Sequence, residues 1–232
     1  MRYGNHQVSL GPSLTPVVRI LIIANGIILL VQGLIGWGVV EIFGLTPRDI
    51  TTRFALWQLV TYLFLHANFW PHLFFNMLTL WMFGSDLEGR WGGSYFLKYY
   101  FVTGVGAGVC SVLAHPFSPI PSIGASGAVY GILLAYAVLF PNRYVYIYFL
   151  IPIKVKYLVG VMALLGVMSA MTSPGDQIDH FAHLGGMLVG FLFLKGWFRP
   201  DRLRESYLRW RLRRLRSKFK VYENQRDDDY IH

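Results

Sequence analysis

The fold of this chain is decided by residues 99–142, YYFVTGVGAGVCSVLAHPFSPIPSIGASGAVYGILLAYAVLFPN, which contain no Asp, Glu, Lys or Arg. A membrane-spanning helix needs about 20 mostly apolar residues, so this run is long enough for two such helices. Further charge-free runs cover residues 20–40, 54–85, 157–175 and 180–194. A soluble protein with buried helices is the alternative, but the segments between these runs could not cover so much apolar surface. The sequence therefore predicts an all-α polytopic membrane protein.

Proline, glycine and the edges of the apolar runs divide the chain into six predicted membrane-spanning helices. A seventh segment, Glu41–Trp70, is apolar and rich in aromatic residues but lacks helical periodicity, so an interfacial loop is predicted there. The predicted helices cover Pro16–Val40, Pro71–Leu87, Ser94–Ala114, Ser126–Phe140, Ile153–Met171 and Asp179–Trp197.

The net charge of +9 is concentrated near the end of the chain, where ten Lys and Arg residues lie between Arg199 and Lys220. In a soluble chain such a cluster suggests nucleic acid binding, but beside membrane spans it indicates the cytoplasmic face and contact with anionic lipids. Within it, Leu208, Leu212, Leu215 and Phe219 form one apolar stripe, typical of a helix lying on the membrane; a solvated or partner-docking helix is the alternative. The predicted domains are a six-span core, residues 1–198, and a basic amphipathic cytoplasmic tail, residues 199–232, with no nucleic acid partner.

With the basic tail inside, six spans place both termini in the cytoplasm. The loops with Glu88 to Arg90 and with Arg143, Lys154 and Lys156 then also lie inside, as the positive-inside rule favours. No cleavable signal or transit peptide is apparent, which favours a bacterial or archaeal plasma membrane. Cys110 is the single cysteine, so no disulfide or thiolate cluster is predicted.

The chemistry of the chain is concentrated at the predicted outer ends of the even-numbered spans. Gly124-x-Ser126-Gly127 begins the fourth span and resembles a nucleophile elbow, although small residues also serve helix packing in membranes. His183 lies about one turn inside the outer end of the sixth span, at the same depth as Ser126. Gly127-x-x-x-Gly131 and Gly186-x-x-x-Gly190 give both helices small faces, so a hydrogen bond from Ser126 to a His183 base is predicted.

Other polar residues near this depth suit supporting roles. Tyr130 lies one turn below Ser126 and could hold the His183 ring, with core packing as the alternative. His72 and Asn76, spaced i, i+4, share one face of the second span and could donate to an oxyanion together with the Ser126 N–H. His66 is a further supporting candidate. A zinc site is disfavoured because no H-E-x-x-H spacing is present, and no cofactor or metal is predicted.

These motifs, in this order along the chain, resemble the rhomboid family of intramembrane proteases. The resemblance rests on His72-x-x-x-Asn76, Glu88-Gly89-Arg90-Trp91, Gly124-x-Ser126-Gly127 and Ala182-His183-x-x-Gly186, together with 57–66, WQLVTYLFLH, which is similar to the family's first external loop. It implies cleavage of transmembrane protein substrates by a Ser126–His183 dyad, with the Ser126 N–H, His72 and Asn76 at the oxyanion and Tyr130 supporting the imidazole.

Two details of the chain bear on this resemblance. Gln58 replaces an arginine that many relatives carry, which affects how the loop is anchored. Because the family uses no third acidic residue, Asp179 is interpreted as a helix cap, and Glu88 and Arg90 as a structural charge pair. The alternatives are a catalytically inactive rhomboid-like protein that binds membrane proteins, although both Ser126 and His183 are present, and a small transporter, which would place polar groups across the bilayer midplane.

Overall fold

The computed structural model describes residues 12–67, 70–147, 150–172, 179–196 and Leu212. Its internal contacts divide the chain into Met1–Lys195 and Gly196–His232, and the fold described below is that of the first unit. Apart from Leu212, which is helical and exposed, the predicted basic tail from residue 199 lies outside the described residues.

The described part of the first unit is mostly helical. In chain order its α-helices and strands are α1 (Pro16–Ile35), α2 (Gly38–Phe43), α3 (Pro47–Arg53), α4 (Gln58–Thr61), α5 (Trp70–Thr79), α6 (Ser85–Trp91), α7 (Gly93–Ala114), α8 (Ser126–Leu139), β1 (Tyr144–Ile147), β2 (Ile151–Lys154), α9 (Val155–Thr172) and α10 (His180–Leu194). A 3-10 turn at Tyr62–Phe64 follows α4, and a π-helical segment at Leu80–Gly84 joins α5 to α6.

Three of the described helices, α1, α7 and α9, are long and apolar enough to cross a membrane, while α8 and α10 are apolar but shorter. Large apolar side chains point outward from α1 and α9 (Ile20, Ile23, Ile27, Leu30, Leu34, Val161, Leu164, Leu165, Met168). Outward apolar faces of this extent fit contact with lipid, because lipid tails solvate them as well as a protein core would.

Several predicted boundaries were wrong. The first helix ends at Ile35 rather than Val40 because Gly36 adopts a left-handed φ of 90°, and a short α2 follows. The segment expected to lack helical structure contains α3, α4 and a 3-10 turn. Before α9 the chain forms an antiparallel β-hairpin, so the fold is mostly helical rather than all-α.

Gln58 anchors the first loop in a way that the sequence left open. Its side-chain oxygen accepts from the Thr46 N–H at 3.0 Å, and its amide nitrogen donates to the Ile42 carbonyl at 3.3 Å. Trp57 donates its indole N–H to the same carbonyl at 3.0 Å. The loop is therefore folded on itself by side-chain hydrogen bonds, of which the bond between Thr46 and Gln58 is buried.

Glu88 is a cap rather than the partner of Arg90 that the sequence suggested. Its carboxylate is buried and accepts from the Val17 and Val18 N–H groups at 3.0 and 2.9 Å and from the Thr15 hydroxyl. These donors belong to the first turn of α1, where unpaired N–H groups and the helix dipole favour an anion. Arg90 instead lies over the Phe140 ring, 5.5 Å from its centroid. Glu88 thus fixes the start of α1 against α6.

Helices α7, α8 and α10 pack most extensively against one another and form the centre of the unit. At Gly186 the backbones of α8 and α10 lie so close together that a Cβ atom would collide with the carbonyl of Gly127. The second glycine of each predicted small face contacts α7 instead, because Gly131 lies against Thr103 and Gly190 against Tyr99. The close approach of α8 to α10 therefore depends on Gly186, whereas a Cβ on Gly127 would collide with Ala107 of α7.

Replacing Gly186 by alanine is expected to lower the free energy of unfolding by about 1–3 kcal/mol, the usual effect of overpacking a well-packed contact. The colliding atoms are backbone, so α8 and α10 must separate to admit the methyl group. Gly160→Ala on α9 is the matched control, since a Cβ there meets nothing within 4 Å. Thermal unfolding in detergent measures both, and equal melting temperatures for the two variants would contradict this packing.

Candidate active site

Ser126 and His183 meet between the N-terminal ends of α8 and α10. Ser126 is the first residue of α8, and His183 lies in the first turn of α10. The Oγ atom of Ser126 is 2.8 Å from Nε2 of His183, which is hydrogen-bond distance. Both side chains are partly buried, so neither is shut off from the surface. A hydroxyl in this contact can pass its proton to the imidazole, which is the geometry of an activated serine nucleophile.

Tyr130 lies one turn along α8 from Ser126 and packs on the His183 ring. The two rings are nearly parallel, with an interplanar angle of 7° and centroids 4.2 Å apart. This stacking restricts rotation of the imidazole about its side-chain torsions. It therefore keeps Nε2 directed at Ser126.

The turn before Ser126 is shaped by Gly124 and His72. Gly124 has a φ of 123°, and a Cβ on it would lie 2.9 Å from both Cε1 and Nε2 of the His72 imidazole. Its N–H donates to the carbonyl of Tyr62 at 2.9 Å, which ties the turn to the first loop. Only a glycine permits both this backbone conformation and the close approach of the imidazole. His72 from α5 is thus held directly beside the turn that presents Ser126.

Asn76 lies one turn after His72 on α5. It is 6% exposed, and its amide nitrogen has no hydrogen-bond partner among the described residues. A buried donor without a partner is costly, so an amide in this position is available to a group from outside the protein. His66 is fully buried with its ring 5.2 Å from that of His72, and its backbone N–H and carbonyl bind the amide of Gln32. His66 therefore contacts His72, and its supporting role stays a prediction.

Asp179 caps α10, as the sequence predicted, and also joins two other segments. Its Oδ1 accepts from the Ala182 N–H at 2.9 Å, and its Oδ2 accepts from the Ser122 hydroxyl at 2.6 Å and from the Ser111 hydroxyl. Ser111 lies near the end of α7, and Ser122 lies in the segment leading to Ser126. One carboxylate therefore holds together the segments that present Ser126 and His183. Among the described residues its carboxylate makes no hydrogen bond to the His183 ring, so it is not placed as a third catalytic member.

The structure thus brings five of the six predicted site residues into two groups of contacts. In the first, His183 contacts Ser126 and Tyr130, and in the second, His72 contacts Gly124. The sixth residue, Asn76, lies one turn from His72 on α5. Sequence reasoning missed Ser111, Ser122 and Tyr62. Their contacts are a serine hydroxyl or a backbone carbonyl meeting a residue more than 50 positions away, and no local pattern marks such pairs. Among the described residues no cluster of three or more His, Cys, Asp or Glu could hold a metal ion.

The apolar helices and the buried polar site together define a helical integral membrane protein. A family profile described as Rhomboid domain matches residues 53–199, more than half of the chain. The chain belongs to the rhomboid family.

Curated relatives agree with this assignment. The chain is similar to the rhomboid protease GluP of Bacillus subtilis, with 35% identity over 151 residues covering 64% of this chain and 27% of that protein. It is similar to the mitochondrial rhomboid protein 1 of Saccharomyces cerevisiae, with 31% identity over 168 residues covering 70% of this chain and 46% of that protein. The putative rhomboid protease YdcA of Bacillus subtilis is 30% identical over 154 residues, 62% of this chain and 72% of that protein.

The first two relatives are longer than the region that matches this chain. The chain spans about a quarter and about half of the length of the first two relatives. They support intramembrane protease activity as the family's general property. Because one relative is mitochondrial, membership does not select the membrane in which this chain resides, and the bacterial or archaeal plasma membrane stays a prediction.

Proposed function

We propose that this protein is an intramembrane serine endopeptidase in which Ser126 is the nucleophile and His183 the general base. The observation that carries the proposal is the 2.8 Å contact between Ser126 Oγ and His183 Nε2, beside an imidazole fixed by Tyr130. Proton removal by a positioned base of this kind contributes about 10²- to 10⁴-fold to a rate. Family membership supports the reaction class, and the retained serine and histidine support an active rather than an inactive member.

The proposed mechanism is acyl transfer in two steps. Ser126 Oγ attacks the scissile carbonyl carbon while its proton passes to His183 Nε2, and the tetrahedral intermediate collapses when His183 gives that proton to the leaving amine. The resulting ester on Ser126 is hydrolysed by water, again with His183 as base. No cofactor or metal takes part in these steps.

The developing oxyanion needs donors near Ser126. The N–H of Ser126 lies in the first turn of α8, where helix N–H groups have no intrahelical acceptor, and His72 lies against the adjacent Gly124. The unpartnered amide of Asn76 supplies a second side-chain donor on the same face of α5. We propose these three groups as the oxyanion hole, which stabilises charge that appears only in the transition state.

Asn76→Ala and His72→Ala are each expected to lower kcat by about 100- to 1000-fold, the usual effect of removing one oxyanion donor. Substrate affinity should change little, because the oxyanion is absent from the ground state. Steady-state kinetics on a transmembrane reporter separate the two parameters. Gln32→Ala is a useful comparison for Asn76, since it removes a buried amide bound to the His66 backbone instead. A change in KM alone would contradict the oxyanion role.

We propose six spans: α1, the continuous helical segment from α5 through α6, then α7, α8, α9 and α10. Helices α8 and α10 have 14 and 15 residues. At 1.5 Å per residue they extend about 21 and 22 Å, less than the ~30 Å hydrocarbon core. Because both helices are shorter than the hydrocarbon core, their N-terminal ends, which carry Ser126 and His183, can begin below the outer membrane surface. Water reaching those ends would supply the hydrolytic step inside the membrane.

The proposed orientation has both termini and the basic tail, residues 199–232, in the cytoplasm, with residues 1–198 forming the catalytic core. A reporter fused after Lys220 is expected to behave as cytoplasmic, because the basic segment favours the inner face and its anionic lipids. Paired alkaline phosphatase and green fluorescent protein fusions measure this in opposite senses. Phosphatase activity together with loss of fluorescence at that junction would contradict the proposed orientation and place the tail outside the cytoplasm.

The proposed substrates are proteins with a transmembrane segment, cut within or near that segment. The test is a single-span reporter reconstituted with the purified protein in liposomes, with the products mapped by mass spectrometry. Cleavage at or near the membrane segment supports the proposal, and the same reporter without its membrane segment should be cut far more slowly. Binding of the reporter without cleavage would instead favour the inactive rhomboid-like alternative.

A further inference from the structure

The β-hairpin of β1 and β2 presents one exposed face that the proposed reaction does not use. The strand register pairs Tyr144 with Lys154 and Tyr146 with Pro152, so these residues share one face of the hairpin. Tyr144 and Tyr146 are 59% and 60% exposed. The opposite face carries Val145, which packs against the core. The hairpin is therefore oriented, with its tyrosine face turned away from the protein.

Two lysine side chains lie close to tyrosine rings in and beside the hairpin. Lys154 Nζ lies 5.8 Å from the centroid of the Tyr144 ring, and Lys156 Nζ lies 5.1 Å from that of Tyr157. Among the described residues neither lysine forms an ion pair, whereas the neighbouring Arg143 is paired with Asp86. The two ammonium groups are thus available to an anion from outside the protein.

The position of the hairpin relates these groups to the membrane. It follows the C-terminal end of α8 and so lies at the end of that helix opposite Ser126. It leads directly into α9, whose outward apolar face begins at Tyr157 and continues through Val161 and Leu164. Leu150 and Ile151 lie at the free end of the hairpin and are 79% and 62% exposed, Ile151 on the face opposite the tyrosines because it pairs with Ile147. Tyrosines and lysines at the end of an outward apolar helix are the composition of a membrane–water interface.

We propose that the tyrosine face of this hairpin is a membrane-surface anchor whose ligands are anionic phospholipid headgroups. The Tyr144 and Tyr146 rings lie at headgroup level with their hydroxyls toward water, Leu150 and Ile151 reach the start of the acyl region, and Lys154 and Lys156 bind the headgroup phosphates. An acidic protein partner would match the lysines but would not account for the exposed Leu150 and Ile151, which suit an apolar surface. The anchor concerns attachment and not chemistry, so it stands or falls independently of the proposed protease activity.

The test measures the depth of the hairpin in the full-length protein reconstituted in symmetric liposomes, so the result does not depend on orientation. In a Cys110→Ala background, Tyr146→Cys carries an environment-sensitive fluorophore, and Leu165→Cys on the outward face of α9 provides the reference for the acyl region. Nitroxide attached to the lipid headgroup should quench the label at position 146 more than nitroxide deep in the acyl chain. The order should be reversed at position 165.

The lipid specificity is tested with the same label at position 146. Headgroup nitroxide on phosphatidylglycerol should quench it several-fold more than the same nitroxide on phosphatidylcholine. The reason is that each lysine near the surface enriches anionic lipid around the hairpin by about fivefold. Lys154→Gln with Lys156→Gln, or high salt, should bring the two lipids close to equal quenching. Equal quenching by both lipids while Lys154 and Lys156 are retained would overturn the proposal. So would quenching of position 146 by aqueous iodide with no effect of either lipid quencher.

Discussion

Replacing Ser126 by alanine is expected to lower the cleavage rate of a transmembrane reporter by at least about 10⁴-fold while the protein stays folded. The change removes only the Oγ atom that lies 2.8 Å from His183. Nucleophile removal has effects of this size because no other group can form the acyl intermediate. The α8 helix should persist, since alanine is the best helix former and Ser126 is its first residue.

The control for this variant is Ser118→Ala, which changes another serine in the segment between α7 and α8. Its hydroxyl accepts only a 3.3 Å contact from the nearby Ile120 N–H. Cleavage of the reporter at a rate near wild type is expected there. Both variants should show thermal unfolding close to that of the wild-type protein. Retained cleavage in Ser126→Ala would exclude Ser126 as the nucleophile.

Replacing His183 by alanine is expected to reduce cleavage to a similar extent, because Ser126 then has no base to take its proton. The two residues are expected to act as one unit. The double variant Ser126→Ala with His183→Ala should therefore be no slower than the slower single variant, since removing a second member of a broken unit has no further effect. If the rate loss of the double variant equalled the product of the two single-variant losses, the two residues would act independently.

The control for the base is His115→Ala. His115 caps the end of α7 and packs its ring on Phe181, with 5.1 Å between centroids, so it is a histidine near α10 that does not touch Ser126. Its variant is expected to cleave at a rate near wild type. The Tyr130 ring should lose its stacking partner in His183→Ala, so a small fall in melting temperature is expected there.

The parts of this site that could be predicted share one property, which is that a local signal marks each residue. Ser126 lies between glycines, His183 lies in a run without Asp, Glu, Lys or Arg, and His72 and Asn76 share a helical face. Charge alternation then assigned these residues to one end of the bundle, which is why their proximity could be anticipated. Their catalytic roles stay predictions until the variants are measured.

The parts that could not be predicted depend on contacts between distant segments or on backbone geometry. Glu88 caps a helix whose first turn lies 70 positions earlier, so its neighbour Arg90 was a more obvious but wrong partner. Asp179 was identified as a cap from its position before α10, but its bonds to Ser111 and Ser122 have no sequence signature. The π-helical segment Leu80–Gly84 arises from one changed hydrogen-bond register inside an apolar run, which hydropathy does not record.

The hairpin shows how composition can mislead. Residues 144–154 are apolar and aromatic, and they adjoin a predicted span, so they were divided between a loop and a helix start. The β-branched residues Val145, Ile151 and Ile153 favour a strand, and Pro152 is tolerated there because a two-stranded sheet has only edge strands. The hairpin could not be predicted because four-residue strands are too short to show a clear alternation of apolar and polar residues.

The most direct test of the central claim is labelling of the reconstituted protein with a fluorophosphonate probe, which reacts with a serine only when that serine is activated. The wild-type protein and Ser118→Ala are expected to be labelled, with the adduct located on the peptide containing Ser126 by mass spectrometry. Ser126→Ala and His183→Ala are expected to remain unlabelled. Labelling that persists in Ser126→Ala, or a folded wild-type protein that takes up no probe, would contradict Ser126 as an activated nucleophile.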